Sequence, residues 1–453
     1  MEMKSPVKTV LALAVAAGLA APTAAFATNG YFKLGYGTKQ FGMGGAGVAY
    51  PQDAIAAATN PAGMAFVGNR FDIGVQLFSP KRDASLGGTT DVDSGATLFA
   101  IPNMGAVIDQ GPLAYGVSIY ANGGMNTRYA SNLYDNAFGP LNQAANAKFG
   151  VPLPANTGTL GVNLAQVIIA PTVAYKVLPN TSIGVSPLIG IQAFRAYGLG
   201  DFANPFFSSD PSHVTNQGND YSYGGGVRVG IQSNLTNWLS VGATWASKVY
   251  MSNLDKYRGL FADGGSFDIP SNFAVGLALK PTPGLVVAFD AQRILYNQVS
   301  SIGNAGFSDA QLGAFLGGFQ NWLTGNGMTP PPPQALPRLL GSAGGAGFGW
   351  QDITVYKVGL AYDVNDRLTV RAGFDYTDSP IPNNQLLFNI LAPGVIKYTG
   401  TLGLSYKPTA TQEINVAYMH AVRHNQSVVS PLFGRTEIGM YQNAFEMGYS
   451  WKF

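Results

Sequence analysis

The sequence predicts an all-β fold, namely a transmembrane antiparallel β-barrel of about 14 strands with an N-terminal hatch inside the lumen. Three observations lead to this prediction. The last stretch of the chain alternates apolar and polar residues with the period of two that is typical of a β-strand. Beyond the first thirty positions, no apolar run reaches the roughly 18 residues that predict a transmembrane helix. The links between later segments are alternately short and long, as in outer-membrane barrels.

The final stretch, residues 439–453, carries the clearest alternation. Counted back from the C-terminus in steps of two, its apolar residues are Phe453, Trp451, Tyr449, Met447, Phe445 and then Tyr441. The residues between them, from Lys452 to Gln442, are polar or small. A strand of a soluble sandwich shows the same alternation. The aromatic residues near the strand end favour a barrel strand that faces lipid on one side and the lumen on the other.

The composition agrees with a membrane barrel. Of the 453 residues, 46% are hydrophobic and only 11% are charged, which is unusual for a soluble protein of this size. A closed barrel reconciles this composition with the lack of apolar helices, because only alternate strand residues need to be apolar. The net charge of +2 gives no indication of a nucleic-acid partner. The absence of Cys excludes disulfides and thiolate metal sites, and no metal or other cofactor is expected.

Residues 1–27 have the pattern of a secretory signal peptide. Lys4 and Lys8 form the positive region, residues 10–21 form the apolar region, and residues 25–27 form a small-x-small cleavage site. An N-terminal membrane anchor is the alternative, and the shortness of the apolar run argues against it. The predicted location is therefore the outer membrane of a Gram-negative bacterium.

Residues 28–68 do not resemble a barrel strand. They are rich in Gly and Ala, and a short helix is predicted over 53–59. About forty small, weakly amphipathic residues fit a compact hatch inside the lumen, because larger barrels are known to be plugged. A disordered periplasmic tail is the alternative, which the low charge and the aromatic residues disfavour. Residues 69–453 then form the barrel.

The barrel region divides into about 14 alternating segments, whose ends are uncertain by about two to four residues. They lie at 69–79, 95–108, 112–122, 164–178, 181–197, 219–233, 238–250, 267–280, 284–299, 352–363, 366–378, 395–407, 411–424 and 439–453. Short links with turn residues follow the even-numbered segments, for example 179–180 and 364–365. The links after odd-numbered segments are usually long. An even number of strands places both chain ends on the periplasmic side.

One long loop contains a predicted amphipathic helix over 308–324, with Ser308 as its N-cap. Its apolar stripe, spaced three and four residues apart, consists of Leu312, Phe315, Leu316, Phe319 and Trp322, followed by Leu323. Two interpretations stay open at this stage. The stripe either packs on the barrel rim, or it forms an outer-loop groove that receives an apolar ligand.

The third segment carries a possible break at Asn122, Gly123 and Gly124. Paired glycines in a strand weaken side-chain packing and favour a bulge or kink. On the pattern alone, a simple strand end is the more economical interpretation. The alternative is an inward kink that opens a lateral gate in the wall.

Several motifs resemble those of one family, the FadL-type outer-membrane transporters of long-chain fatty acids and their relatives that take up hydrocarbons. The mature start at residues 28–32, the glycine-rich residues 42–47 and the run Asn60, Pro61, Ala62 and Gly63 resemble the N-terminal hatch of that family. Shorter similarities occur at residues 101–104, 378–380 and 418–420. Together the motifs span the mature chain, and the hatch signature is the most specific of them.

The resemblance implies a monomeric barrel that carries hydrophobic small molecules passively. The ligand would pass from an outer-loop groove to an apolar lumen pocket and leave sideways through a kink in the third strand, at Asn122, Gly123 and Gly124. The hatch residues expected to line the pocket are Tyr31, Phe32, Leu34, Phe41, Met43, Met64 and Phe66. The surroundings would be outer-membrane lipid and lipopolysaccharide.

Two positions bear on the choice of ligand. Fatty-acid members of the family have a Lys just before the tenth strand, where this chain has Gln351. Since Gln351 supplies no positive charge, the resemblance leaves the choice between a fatty acid and a neutral hydrocarbon open. Arg195 aligns with another basic position of the family and is a candidate ligand residue. Its strand parity points outward, so a lumenal position requires a bulge near Pro187.

Three other functions share part of this pattern. A general diffusion porin shares the barrel and differs in its open, conducting lumen. An outer-membrane lipase is a weaker alternative, since the His residues His213, His420 and His424 form no zinc-protease motif and His420 is predicted to face outward. An adhesin, in which the long loops matter more than the lumen, is a third alternative.

Overall fold

The computed structural model describes residues 28–149, 158–324 and 336–453. The predicted signal peptide, residues 1–27, lies outside the described residues. Within these three ranges, no helix has both the length and the apolar character needed to cross a bilayer.

The wall of the molecule consists of 14 long antiparallel strands, as predicted. In chain order they are β1 (Arg70–Ser85), β2 (Phe99–Gln110), β3 (Leu113–Asn126), β4 (Gly161–Leu178), β5 (Thr181–Tyr197), β6 (Asp220–Asn234), β7 (Leu239–Ala246), β8 (Asn272–Thr282), β9 (Leu285–Ile294), β10 (Ile353–Asn365), β11 (Leu368–Thr377), β12 (Tyr398–Tyr406), β13 (Gln412–Ser430) and β14 (Gly434–Lys452). Each strand pairs with the next, and β14 pairs with β1 from Arg70 opposite Lys452 to Ser85 opposite Glu437. The sheet therefore closes into a barrel.

The strand ends differ from the prediction in several places. β13 continues to Ser430 and β14 already begins at Gly434, because these ends of the two strands still pair with each other, and a three-residue link joins them. β1 likewise continues to Ser85. β8 begins at Asn272 instead of residue 267, and β9 ends at Ile294 instead of residue 299. The predicted segment 238–250 ends earlier, at Ala246, because Ser247 interrupts the ladder: the Ser247 hydroxyl accepts a hydrogen bond from Val227 N. Pairing with β6 resumes one residue out of register at Tyr250–Met251.

Successive side chains of a strand alternate between the outer and the inner face of the wall, as predicted. In β1, Ile73, Val75 and Leu77 are between 41% and 48% exposed on the outside, whereas Asp72 and Gln76 are buried on the inside. The outer face is thus apolar and the inner face polar, which is the arrangement of a lipid-facing barrel. Tyr449, Trp451 and Phe453 extend this outer face to the C-terminus.

Short helices lie in the N-terminal segment and in the loops. The α-helices are α1 (Thr38–Phe41), α2 (Asp135–Phe149), α3 (Ala262–Gly265), α4 (Ser300–Gly303), α5 (Asp309–Thr324) and α6 (Leu386–Asn389). The 3₁₀ helices are Ala56–Ala58, Pro61–Phe66, Gly200–Phe202, Pro211–His213, Asp255–Tyr257, Tyr296–Gln298 and Asn383–Gln385. The helix predicted over 53–59 is only the single 3₁₀ turn Ala56–Ala58. The predicted cap of α5 is present, since Ser308 Oγ accepts a hydrogen bond from Gln311 N.

Residues 28–68 form the N-terminal segment, which packs against the inward-facing residues of the strands. The 3₁₀ helix Pro61–Phe66 contacts β3 to β6, and α1 contacts β12 to β14. Most of the side chains in the segment are buried. The segment therefore touches the wall from opposite sides of the barrel, which positions the site described next.

Candidate functional site

The C-terminal half of β3 has a neighbouring strand on one side only. β3 pairs with β2 from Leu113 opposite Gln110 to Tyr120 opposite Asn103, and no further. On its other side β3 stays paired with β4 up to Asn126. The first residues of β2, from Phe99 to Pro102, pair with β1 but not with β3. From Ala121 onward, β3 is therefore no longer hydrogen-bonded to β2.

A bulge at Asn122 accompanies this loss of pairing. In the ladder with β4, Ala121 lies opposite Val167 and Gly123 lies opposite Gln166, so Asn122 is the extra residue. Asn122 Nδ2 donates to Gln166 Oε1 over 3.1 Å, which holds the bulge against β4. From Ser118 to Thr127 every residue is buried, so this part of β3 has lost the exposed-buried alternation of the other strands.

The N-terminal segment occupies the edge that β2 leaves free. Lys33 N donates to Asn122 O over 3.1 Å, and Gly124 N donates to Tyr31 O over 3.1 Å, with Phe32 bridging to Gly123. A Cβ atom on Gly123 would lie 2.1 Å from Tyr31 O, which is closer than any real contact. Glycine at position 123 is therefore required for this close approach of two backbones.

An aromatic cluster surrounds Tyr31 on the lumenal side of this edge. The Tyr31 ring centroid lies 5.3 Å from those of Phe32 and Tyr296, 6.0 Å from that of Trp350 and 6.4 Å from that of Phe267. Tyr296 Oη accepts a hydrogen bond from Tyr31 N and donates one to Asn29 O, over 3.2 and 2.5 Å. We call these five aromatic residues the Tyr31 cluster. The rings form an apolar surface beside the bulge.

The seven hatch residues that were expected to line the pocket lie in different parts of the structure. Tyr31, Phe32, Leu34 and Phe41 belong to the main apolar core of the lumen. Met43 and Met64 lie in two separate, smaller clusters. Phe66 is partly exposed, with the Lys176 ammonium 5.8 Å from its ring centre. Four of the seven predicted residues therefore belong to one large apolar cluster, and their role in a ligand pocket stays a prediction.

The motif Asn60, Pro61, Ala62 and Gly63 begins a 3₁₀ helix that is anchored to the wall. Asn60 Oδ1 accepts from Ala62 N as an N-cap, and Asn60 Nδ2 donates to Val48 O and to Ile231 O of β6. Pro61 occupies the first turn, where a missing N–H leaves no partner unsatisfied. Asn60 therefore links the motif to both the segment and the barrel.

Two buried ion pairs attach the N-terminal segment to the last strands. Lys33 Nζ lies 3.1 Å from Glu446 Oε2, and Lys39 Nζ lies 2.9 Å from Glu413 Oε1. Glu446 Oε1 also accepts hydrogen bonds from Thr38 and from Asn103. Burial lowers the pKa of Lys39 to about 8. The charges of the segment are thus matched by charges of the wall.

Asp53 lies close to the Lys39–Glu413 pair. Burial, with the negative charge of Asp72, raises the pKa of the Asp53 carboxyl to about 6, although Lys39 and Arg70 lower it. Its Oδ1 accepts a hydrogen bond from Ile55 N over 3.0 Å. Asp53 is therefore a titratable group in the contact between segment and wall.

Arg195 and Gln351, the two positions expected to bear on the choice of ligand, both have exposed side chains. Arg195 is exposed on the outward face of β5, with its guanidinium 5.6 Å from the Tyr197 ring centre. The ladders on both sides of β5 keep their register at Pro187, so the bulge that Arg195 needs is missing. This position argues against contact with a lumenal ligand. The side chain of Gln351 is also exposed, beside the buried Trp350.

The apolar stripe of α5 is mostly covered. Leu312, Phe315, Phe319 and Trp322 are each less than a tenth exposed, and Leu316 is partly buried. The covering residues belong to the loop between β5 and β6, where the Phe206 ring lies 5.6 Å from that of Phe315 and 5.7 Å from that of Phe319. The stripe therefore packs against a neighbouring loop, and a groove for a ligand requires these two loops to separate.

Three residues of the Tyr31 cluster, Tyr296, Trp350 and Phe267, were not predicted from the sequence. Phe267 and Trp350 lie in irregular segments and Tyr296 begins a 3₁₀ helix, although residues 267–280 and 284–299 were predicted as strands. The alternation expected there did not mark these side chains as inward. Their aromatic character was the only local signal. His420, in contrast, faces outward as predicted, with Nδ1 2.9 Å from Asn443 Oδ1.

Comparisons with known proteins agree with this architecture. Residues 13–446 match the family model described as outer membrane protein transport protein (OMPP1/FadL/TodX). The solved structure of the Pseudomonas putida toluene transporter TodX is similar over 94% of this chain and 100% of that chain, with 19% identity and a TM-score of 0.64. A Pseudomonas aeruginosa FadL homologue matches with 15% identity over 94% of this chain and 100% of that chain, at a TM-score of 0.62.

A third solved structure is also similar. The Ralstonia pickettii toluene transporter TbuX matches with 19% identity over 93% of this chain and 99% of that chain, at a TM-score of 0.59. At such identities the structural similarity shows the fold alone. No curated protein matches the chain.

Proposed function

The chain belongs to the outer membrane protein transport protein family (OMPP1/FadL/TodX), and from this premise we propose that it takes up hydrophobic small molecules passively and releases them sideways into the bilayer. The family consists of transporters of hydrophobic compounds in the outer membrane of Gram-negative bacteria. Beyond the function of the family, we propose the exit route of the ligand, the segment that moves and the pocket that binds the ligand. The proposed state is a monomer surrounded by outer-membrane lipid and lipopolysaccharide.

The main support for the lateral route is the edge of β3 beyond Tyr120, where β2 no longer pairs with it. A continuous antiparallel ladder would prevent any passage through the wall, since each strand is bonded to its neighbour. Here the N-terminal segment occupies the edge, since Lys33 N donates to Asn122 O and Tyr31 O accepts from Gly124 N. When that segment withdraws, the gap between β2 and β3 opens toward lipid, so Asn122, Gly123 and Gly124 form the lateral gate.

The N-terminal segment is the proposed hatch. Its backbone pairs with β3 at one side, and its Lys33 and Lys39 side chains pair with β14 and β13 at the other. A segment held by separate contacts moves only when several of them break together. Ligand entry into the Tyr31 cluster supplies the free energy for this movement in the proposed mechanism.

The proposed pocket is the surface formed by Tyr31, Phe32, Leu34 and Phe41 with the rings around them. The cavity beside it, lined by Met125, Trp350 and Gly394, measures about 10 Å³, which is close to a single water. A ligand therefore enters only if the rings or the segment shift. Burial contributes roughly 0.8 kcal/mol per CH₂ group, so a long alkyl chain gains enough to drive such a shift. The bilayer is equally apolar, which allows release without ATP.

A bulky substitution at the gate tests the route. We expect Gly124→Trp to abolish uptake of a radiolabelled hydrophobic compound by cells, because the indole fills the edge where β2 and β3 separate. Gly400→Trp is the matched control, since Gly400 lies in β12 and a Cβ atom placed on it would meet no other atom within 4 Å. Both variants must fold, as judged by heat-modifiable migration in gels. Normal uptake by folded Gly124→Trp would refute the lateral route.

A further inference from the structure

The outer face of β5 changes from apolar to basic near the C-terminal end of the strand. Its first outward residues are apolar, namely Ile183, Val185, Pro187, Ile189, Ile191 and Ala193, and the next two are Arg195 and Tyr197. The rise from Ile183 to Ala193 is about 33 Å along the strand, and a tilt of about 40° reduces it to roughly 25 Å, the height of the apolar band of an outer-membrane barrel. Arg195 therefore lies at the level of the lipid head groups.

The direction of β5 assigns this level to the outer leaflet. At its N-terminal end β5 is joined to β4 by residues 179–180 only, whereas the link from β5 to β6 runs over residues 198–219. Outer-membrane barrels have short periplasmic turns and long extracellular loops, so the Arg195 end of β5 is the extracellular one. Lipopolysaccharide fills the outer leaflet, and its lipid A head group carries phosphate groups.

Exposed tyrosines on the neighbouring strand mark the same level. Tyr221 and Tyr223 of β6 are 54% and 58% exposed, and Tyr221 lies directly opposite Ala193 of β5. Tyrosines of membrane barrels concentrate where the apolar band meets the head groups, because one end of the ring is apolar and the other is polar. Arg195 is the next outward residue after Ala193. The height deduced from β5 is therefore supported by β6.

A second arginine approaches the same place from the end of β3. Arg128 follows Thr127, whose carbonyl oxygen accepts a hydrogen bond from Tyr197 Oη over 2.6 Å. The approach crosses Gly161, the first residue of β4, where a Cβ atom would lie 2.0 Å from Thr127 O. The Arg195 guanidinium lies 5.6 Å from the Tyr197 ring centre, and the charges of both arginines act on the Tyr197 hydroxyl. The two arginines therefore flank one tyrosine.

Neither arginine has a carboxylate partner among the residues that the structure describes. Both side chains are exposed, and the ion pairs of these residues involve other arginines. Asp220, at the start of β6, accepts a hydrogen bond from Lys256 N over 2.8 Å instead. The internal stretches outside the described ranges, residues 150–157 and 325–335, contain no Asp or Glu. Both positive charges therefore face the head-group region without a protein anion to balance them.

We propose that Arg128 and Arg195 bind a phosphate group of lipid A, while its acyl chains lie along the apolar outer face of β5. Guanidinium groups match the oxygens of a phosphate, and a phosphate monoester carries about two negative charges at neutral pH. The bound phosphate links the end of β3 to β5, two strands that do not pair with each other. This inference rests on the outer-membrane location of the chain and is independent of the proposed route through the wall.

The test measures lipid binding to the purified, detergent-solubilised protein by native mass spectrometry. The lipids are diphosphoryl lipid A, its dephosphorylated form and phosphatidylglycerol, and inorganic phosphate is added as a competitor. The variants are Arg128→Gln, Arg195→Gln and the double variant. Arg367→Gln is the matched control, because Arg367 is also exposed and lies at the other end of the wall, in the short link between β10 and β11. Folding is checked by heat-modifiable gel migration.

The wild type and Arg367→Gln should bind diphosphoryl lipid A at least about tenfold more tightly than the double variant, with the single variants between them, because charge-assisted hydrogen bonds are lost. The wild type should also prefer diphosphoryl lipid A to both other lipids. Unchanged affinity in the folded double variant, or equal affinity for the dephosphorylated lipid, overturns the proposal. Equal binding of phosphatidylglycerol, or half-displacement by inorganic phosphate at a concentration similar to that of lipid A, overturns the assignment to lipid A and identifies an unselective anion site.

Discussion

At the scale of single residues, Gly123 is where the wall and the N-terminal segment come closest. A methyl group there would overlap with Tyr31 O at 2.1 Å, and the backbone carbonyl cannot rotate away as a flexible side chain would. We expect Gly123→Ala to displace residues Tyr31–Lys33 from β3 and to speed amide hydrogen exchange at Lys33 and Gly124. Gly400→Ala, which meets no atom within 4 Å, should leave this exchange unchanged. Unaltered protection in Gly123→Ala would show that the contact is not this tight.

Tyr296 is a second residue whose contribution can be tested by a single substitution, because its hydroxyl makes two hydrogen bonds to the N-terminal segment. Its removal leaves Tyr31 N–H and Asn29 C=O buried without their hydrogen bonds. Each unsatisfied group costs about 1–3 kcal/mol, so Tyr296→Phe should raise the exchange rate of the Tyr31 amide by at least about tenfold. Tyr376→Phe removes an exposed hydroxyl bonded to Asp378 and serves as the control. If both variants exchange alike, the Tyr296 hydrogen bonds do not hold the segment.

The sequence marked the bulge at Asn122 only in part. On the pattern alone, the paired glycines after a clean alternation favoured the end of the strand, yet β3 continues to Asn126. The kink was expected from the family resemblance, and the gate role of Asn122, Gly123 and Gly124 stays a prediction. Tyr296 and Trp350 were not identifiable, because their importance depends on contacts with Asn29 and Tyr31, hundreds of positions earlier in the chain. Arg195 shows the converse: its strand parity already indicated the outward direction that the structure has.

At the scale of elements, the N-terminal segment depends on buried ion pairs. Breaking such a pair by removing one partner typically costs about 3–5 kcal/mol, because the other charge stays buried. We therefore expect Lys33→Met to loosen residues 31–41 strongly in hydrogen exchange, since Glu446 loses its cation. Lys397→Met breaks the exposed pair with Asp378, away from the N-terminal segment, and should cost about 0–1 kcal/mol at most. Equal effects of the two variants would contradict the role given to the Lys33–Glu446 pair.

The same segment should respond to pH through Asp53. Because the folded-state pKa of Asp53 is raised to about 6, the folded protein binds this proton more tightly than the unfolded chain does. The resulting stability is fully present below the unfolded pKa and is lost as the pH rises through about 6. Lys39 keeps its charge over this range, since its pKa is about 8, and Arg70 and Asp72 face the same carboxyl.

The expected outcome is that residues 53–58 exchange more slowly at pH 5 than at pH 7, after correction for intrinsic exchange rates. Asp53→Asn removes the titration, so the variant should show no such difference between the two pH values. A wild-type segment that is better protected at pH 7 would reverse the sign and refute this assignment.

Among the elements, strands were predictable and loops were not. Alternation is a local property, so β5 was predicted with the ends that it has, at 181 and 197. The extension of β13 and β14 depends on the pairing of two partners, which neither stretch shows alone. The amphipathic helix α5 was predicted with its cap, but the partner of its stripe, Phe206, lies about a hundred residues away in another loop.

At the scale of the whole molecule, the barrel closes on itself, and the N-terminal segment covers a place where two neighbouring strands part. β14 pairs with β1 over sixteen consecutive residues, from Arg70 to Ser85, so the junction of the chain ends is firm. The interrupted ladder lies instead between β2 and β3, and the N-terminal segment covers it. We therefore predict that the ligand crosses the wall there and does not pass through the periplasmic end of the barrel.

Photo-crosslinking during uptake would locate the exit of the ligand. Cells are given a hydrophobic probe that carries a diazirine, irradiated, and the adducts on the protein are located by mass spectrometry. Lateral release predicts adducts on both sides of the gap, at residues 99–102 of β2 and 120–126 of β3. Adducts on the 3₁₀ helix Pro61–Phe66, with none at the gap, would show an axial route and contradict lateral release.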